Sequence, residues 1–254
     1  KMARRSGPDR SEMELRREIG RFSKVVIWGL KTSEHTHSHI HRHFFETLEK
    51  VGVRVLFVDD TTDSTDIIGR NDLVIAVDVA ISHLPVRNDA YYCLHNCPEE
   101  VHRRLAPARN IRLATYTNYA EQAGERWDEV TFFDSATRTL FQPWATDLLA
   151  REFKEPVLAR SGRIVFWVGS IWNDALGRGN VNEIQMLRDV LKARGIRFVH
   201  LQGISDSLNI RYVRNSLIAP AIVGRWQTEN NYLPCRMWKN ISYGQLGISN
   251  VGKF

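Results

Sequence analysis

The chain has 254 residues, of which 43% are hydrophobic and 25% charged, and its formal net charge is +6. That composition belongs to an ordinary globular protein and excludes a disordered or fibrous one, and the length suits two modest domains. The longest apolar runs, Val25 to Leu30 and Leu73 to Val77, are far too short to cross a bilayer. The basic excess fits any polyanion, a pyrophosphate included, and without a run of five like charges it specifies no nucleic-acid partner.

The first residues, KMARRSGPDRSE, are basic with no apolar segment behind them, which is not the pattern of a signal peptide. Cys93, Cys97 and Cys235 make neither a disulfide framework nor a zinc set. A reducing, cytoplasmic compartment is the expectation.

Residues 10–22 read as a short charged helix or arm, giving an N-terminal arm over 1–22. Lys24 to Gly29 (KVVIWG) is an apolar, β-branched run ending in glycine, the pattern of a strand buried on both faces. A His-rich stretch follows. Ile40, Phe44, Phe45, Leu48 and Val51 then recur at helical spacing, and Gly52 stands where a helix-ending glycine belongs. Val53 to Asp60 is the next strand, which completes a βαβ unit. Leu73 to Asp78 and Ala90 to Leu94 are further strands, the latter opening into His95 and Asn96. Glu99 to Leu105 is a short helix behind Pro98, and Ile111 to Tyr116 and Glu129 to Asp134 are strands.

These elements form a first Rossmann-like domain over 23–149. Residues 150–162 read as a linker. The pattern restarts with Ile164 to Ser170 (IVFWVGS), a helix over Val181 to Arg194, a strand in IRFVHLQG, a short helix over Arg211 to Asn215 and a strand in SLIAPAIVG. Residues 163–254 are therefore a second domain with the same internal logic. Ligands in open sheets of this kind sit beyond the carboxyl ends of the strands, which selects a few loops.

Ser33 to His43 (SEHTHSHIHRH) holds five of the nine histidines at alternate positions. On a helix His35 and His39 share a face, as do His37 and His41, and His39 and His43. Such pairs suit a metal ion or a general base. No carboxylate or cysteine partner can be placed from sequence, so the expectation is a base, His37 or His39, and no metal. His95 and Asn96, past a strand end, are candidates for an acceptor. The loop Gly169 to Asn180 follows a buried strand with a glycine, which lets a phosphate approach the backbone. There is no G-x-G-x-x-G and no Walker lysine motif, which disfavours NAD enzymes and P-loop NTPases. Gly224 to Val251 gathers Arg225, Arg236 and Lys239 among aromatics and amides. Arginine offers a bidentate fork for phosphate, lysine a point charge, and Trp226, Tyr232 or Trp238 a face for a base.

Three stretches, KVVIWGLKTSEHTHSHIHRHFFETLEKVGVRVLFVDD, FQPWATDL with IVFWVGSIW, and YLPCRMWKNISYGQLGISN, resemble GT-B-type glycosyltransferases, the exostosin-like enzymes and their relatives. The resemblance implies two Rossmann-like domains facing across a cleft, acceptor side first and donor side second. It implies transfer of a hexosyl or deoxyhexosyl group from a nucleoside-diphosphate sugar to an acceptor hydroxyl of a glycan or other molecule. The nucleotide sugar is then a co-substrate, and no cofactor or obligatory metal is needed. Carried onto this chain, Gly169 and Ser170 would lie by the phosphates, and Arg236 and Lys239 would neutralise the leaving diphosphate. Asn240, Ser242 and Tyr243 would line the nucleotide or sugar pocket. His37 or His39 would take the acceptor proton. The final helix (KNISYG) lacks the acid that many relatives carry, which keeps open a non-catalytic glycan- or polyanion-binding module. The chain also stops soon after ISNV, where relatives continue with helices, so the C-terminal part is expected to be trimmed or minimal.

Overall fold

The computed structural model describes all residues except 1–9, 33–35, 61–65, 78–80, 115–132, 142–143, 158–161, 175–177, 231 and 253–254. The chain divides into two compact units, Lys1–Thr115 with Thr131–Gln142, and Tyr116–Val130 with Pro143–Phe254. Both mix helices with parallel strands.

In the first unit, α1 (Arg10–Ile19) precedes β1 (Val25–Gly29), α2 (Thr36–Lys50), β2 (Val55–Asp59), β3 (Leu73–Val77) and β4 (Tyr91–His95). Then follow α3 (Glu99–Arg104), β5 (Arg109–Ala114), β6 (Phe133–Asp134) and β7 (Thr139–Phe141). The sheet order is β2-β1-β3-β4-β5-β7-β6. Six strands are parallel and β6 alone runs antiparallel, at the edge.

Period-2 alternation decides which side chain goes to which face. Val26 and Trp28 of β1 join Val74, Ala76, Tyr92 and Leu94 on the face that α3 covers with Val101. Val25 and Ile27 face the other way, against Leu48, Phe44 and Phe45 of α2. The strands therefore read as unbroken apolar runs because both faces are covered. Trp28 also brings a polar atom into this interior. Its Nε1–H donates to Asp60 at 2.6 Å, and the same carboxylate accepts the Ser82 and His83 backbone N–H groups at 3.1 Å each.

In the second unit, β8 (Ile164–Val168) pairs in parallel with β9 (Arg197–Leu201) across α4 (Val181–Ala193). Next come α5 (Asp206–Arg214), β10 (Ala219–Ala221), α6 (Arg225–Glu229), α7 (Cys235–Ser242) and β11 (Gly247–Ser249), with β10 parallel to β11. The Leu217 N–H donates to the Ile164 carbonyl at 2.8 Å, which ties the approach to β10 onto the start of β8.

Two local expectations need revision. The helix expected over Arg211 to Asn215 begins at Asp206, because the Ser205 hydroxyl accepts the Leu208 N–H and caps it. The stretch read as a linker is fastened in place where it is described. Ala150–Glu152 forms a turn of 3-10 helix. The Lys154 and Val157 N–H groups then donate to the Ser242 and Gly244 carbonyls, and Arg214 donates to the Glu155 carbonyl. No helix among the described residues is long and apolar enough to cross a membrane.

Candidate functional site

At the carboxyl end of β8, Gly169 has φ +124°, a conformation side-chain-bearing residues rarely adopt. Its N–H donates to the Leu201 carbonyl at 2.9 Å, and its carbonyl accepts from His200 Nε2 at 2.7 Å and Trp167 Nε1 at 3.2 Å. Ser170 Oγ accepts from Gln202 Nε2 at 3.5 Å. At the far end of this loop Gly179 meets Gly224, the residue before α6, backbone to backbone, so closely that a Cβ on Gly224 would fall 2.0 Å from the Gly179 oxygen.

Arg236, in the first turn of α7, lies over this loop. Its guanidinium carbon stands 4.0 Å from the Trp167 ring centre, a cation–π stack, and Nη1 donates to the Val168 carbonyl. A Cβ on Gly169 would approach Nη2 to 2.5 Å, so the residue must be glycine for the arginine to lie there. Desolvation pulls the Arg236 pKa down to about 10, still cationic at neutral pH. Among the described residues no carboxylate pairs with it, and one of its five N–H donors is used, on Val168. A desolvated cation with spare donors at a strand end has the chemistry that an anion pairs with.

The rest of the expected donor set lies elsewhere. Lys239 forms a 2.9 Å ion pair with Asp147, and both side chains are almost wholly buried. The Tyr243 hydroxyl donates to the same carboxylate, at 2.9 Å to each oxygen. Burial, with the charge of Asp147 behind it, pushes the Tyr243 phenol well above its usual range. Asn240 is buried and donates to the Ala219 carbonyl, while Ser242 is buried against Thr146 and the Lys239 carbonyl. Among the described residues, the bonds that these four make hold α7 to its neighbours. Of the expected donor residues, Gly169, Ser170 and Arg236 come together. Of the other residues in this stretch, Arg225 pairs with Glu229, Trp226 and Trp238 are partly exposed, Tyr232 packs on Val223 and Leu233, and Asn231 lies outside the described residues.

In the first unit the alternate histidines of α2 part company, as 100° per residue requires. His39 and His43 share the outer face, with Nε2 atoms 3.1 Å apart and rings at 84°. His43 Nδ1 lies 3.5 Å from Glu46 Oε2. His41 turns inward, 1% exposed and stacked on Phe44, with Nε2 3.2 Å from His95 Nδ1. His95 is the last residue of β4 and fully buried, so it cannot meet an acceptor as expected. Asn96 follows at φ +52°, a left-handed position asparagine tolerates. His37 lies in the first turn of α2, its side chain outside those described, and His35 lies outside altogether.

Sequence reasoning missed Trp167 and His200, which meet across β8 and β9 in register, and Asp147. Their strand-end positions beside Gly169 were a usable signal for the first two. Asp147 gave none. Comparison with protein-family models, curated proteins and solved structures found no match.

Proposed function

We propose that the second unit binds the diphosphate of a nucleoside-diphosphate sugar at Gly169, Ser170 and Arg236. On this reading the chain is a GT-B-type glycosyltransferase with the first unit as its acceptor half. The observation that supports it is the desolvated, carboxylate-free Arg236 laid across Gly169 at the end of β8. In the transfer, the acceptor oxygen bonds to the anomeric carbon, the bond to the diphosphate breaks, the diphosphate leaves with the electron pair, and the acceptor hydroxyl's proton passes to that departing diphosphate or to water. Arg236 stabilises that growing charge, the role of a preorganised electrostatic clamp. Trp172, 42% exposed in the same loop, offers a ring face to the base. No base is assigned: His95 is buried, and His39 is engaged with His43.

A second reading, a module that binds the nucleotide or an acidic polymer without transfer, gains from the inward turn of Lys239, Asn240, Ser242 and Tyr243. Hydrolysis of a bound donor over hours separates the two, since a module would leave it intact.

The binding test is calorimetry with UDP, GDP and the matching nucleosides. Arg236→Ala is expected to weaken the diphosphates by about 10- to 100-fold, the worth of a hydrogen bond to a charged group. The nucleosides should change little. Equal loss of both, or no loss, removes the diphosphate from this site.

A further inference from the structure

We propose that His39 and His43 form a binding site for a zinc-class divalent transition-metal ion on the outer face of α2. This stands apart from the diphosphate reading and depends on no residue of the second unit.

The two Nε2 atoms converge at 3.1 Å. Tetrahedral zinc at about 2.0–2.1 Å from each nitrogen separates its ligands by about 3.3 Å. One helical turn already holds the rings at almost the required span, so the ion enters with a shift of a few tenths of an ångström. The rings stand at 84° to each other, and the His43 side chain is 16% exposed, so little freedom remains to be lost on binding. In the metal-free state one Nε2 must carry a proton and donate to the other. The ion takes both lone pairs, and that proton moves to Nδ1 of the same ring. For His43, Nδ1 faces the Glu46 carboxylate at 3.5 Å. A carboxylate can only accept, so Glu46 favours the tautomer that leaves Nε2 of His43 free to bind metal. This is the carboxylate–histidine–metal arrangement that orients ligands in known sites. Imidazole donors select zinc, cobalt, nickel or copper over magnesium and calcium, which prefer oxygen.

The test is titration of the chelator-stripped full chain with Co2+, followed by visible absorption, and then displacement by Zn2+. One ion per chain is expected. His39→Ala and His43→Ala should abolish the signal, and Glu46→Gln should weaken binding about 10- to 100-fold. Alkylating the cysteines first should change nothing. His39 is exposed, so His39→Ala carries the test even where His43→Ala disturbs packing. Full-strength binding in His39→Ala, loss of binding on cysteine alkylation, or no binding at millimolar ion would overturn the site. Unchanged affinity in Glu46→Gln would overturn the part given to Glu46.

Discussion

Arg236 and Lys239 stand one turn apart on α7, and they have opposite fates. Lys239 is neutralised by Asp147 in the interior, with Tyr243 completing the carboxylate's hydrogen bonds. Arg236 is also drawn from water, yet meets a tryptophan face and a carbonyl, and no carboxylate among the described residues. One end of the helix spends its charge on holding the fold. The other keeps a charge in reserve, which is what a ligand site requires and a stability optimum does not.

The contrast can be broken first at its largest effect. Lys239→Met strands a buried carboxylate and is expected to cost about 3–5 kcal/mol, read from the shift in urea midpoint. Diphosphate affinity should survive in whatever remains folded. A loss of affinity with unchanged stability would exchange the roles of the two cations.

Tyr243→Phe comes next, at about 1.5–3 kcal/mol for a hydrogen bond to a charged group. It carries a pH signature. The folded phenol holds its proton above the unfolded value of about 10, so the fold's preference is fully present below pH 10 and lost as the pH climbs beyond it. The wild-type chain should therefore lose stability on the alkaline side faster than Tyr243→Phe does. Parallel alkaline profiles would remove Tyr243 from the interior pair.

Gly169→Ala forces an alanine to φ +124° and against Arg236, at a cost of about 1–3 kcal/mol by thermal melting. It should also weaken diphosphates, because Arg236 must move. Unaltered binding would show that Arg236 acts away from Gly169.

The smallest expected change is the sharpest. Arg236→Met, without ligand, should leave stability within about 0.5 kcal/mol of wild type, since the lost contacts are offset by the charge no longer desolvated. Only the stabilisation given by added diphosphate should disappear. A large loss in the ligand-free protein would make Arg236 structural like its neighbour.

The sheets were largely legible in the residues. Runs such as VVIWG and IVFWV are apolar and β-branched through their length, and burial on both faces asks for that. Gly169 and Arg236 were also legible, because a glycine after a buried strand and a basic residue in a nearby helix are local signals. Lys239, Asn240, Ser242 and Tyr243 were not separable from Arg236 in that way. Their roles depend on Asp147 and Thr146, far away in the sequence, and no local pattern announces such a partner. His41 was within reach: it shares its helical face with Phe44, Phe45 and Leu48, at spacings of three, four and seven, so it belongs to the core. The His39–His43 pairing was read correctly as a shared face. Missing was Glu46, three residues on, whose carboxylate changes what that pair can do.

Asp147 and Tyr243 are 96 residues apart in sequence. During synthesis the carboxylate leaves the ribosome long before the helix that will receive it, so the second unit cannot finish its interior until α7 has been made. Joining these two residues closes a long loop, a contact whose entropy cost must be met before it stabilises the unit. The same joint sets where the protein can be cut. A fragment begun at Arg163, where the strand pattern restarts, would carry Lys239 into a core with nothing to answer its charge, whereas one begun at Pro143 would keep both partners.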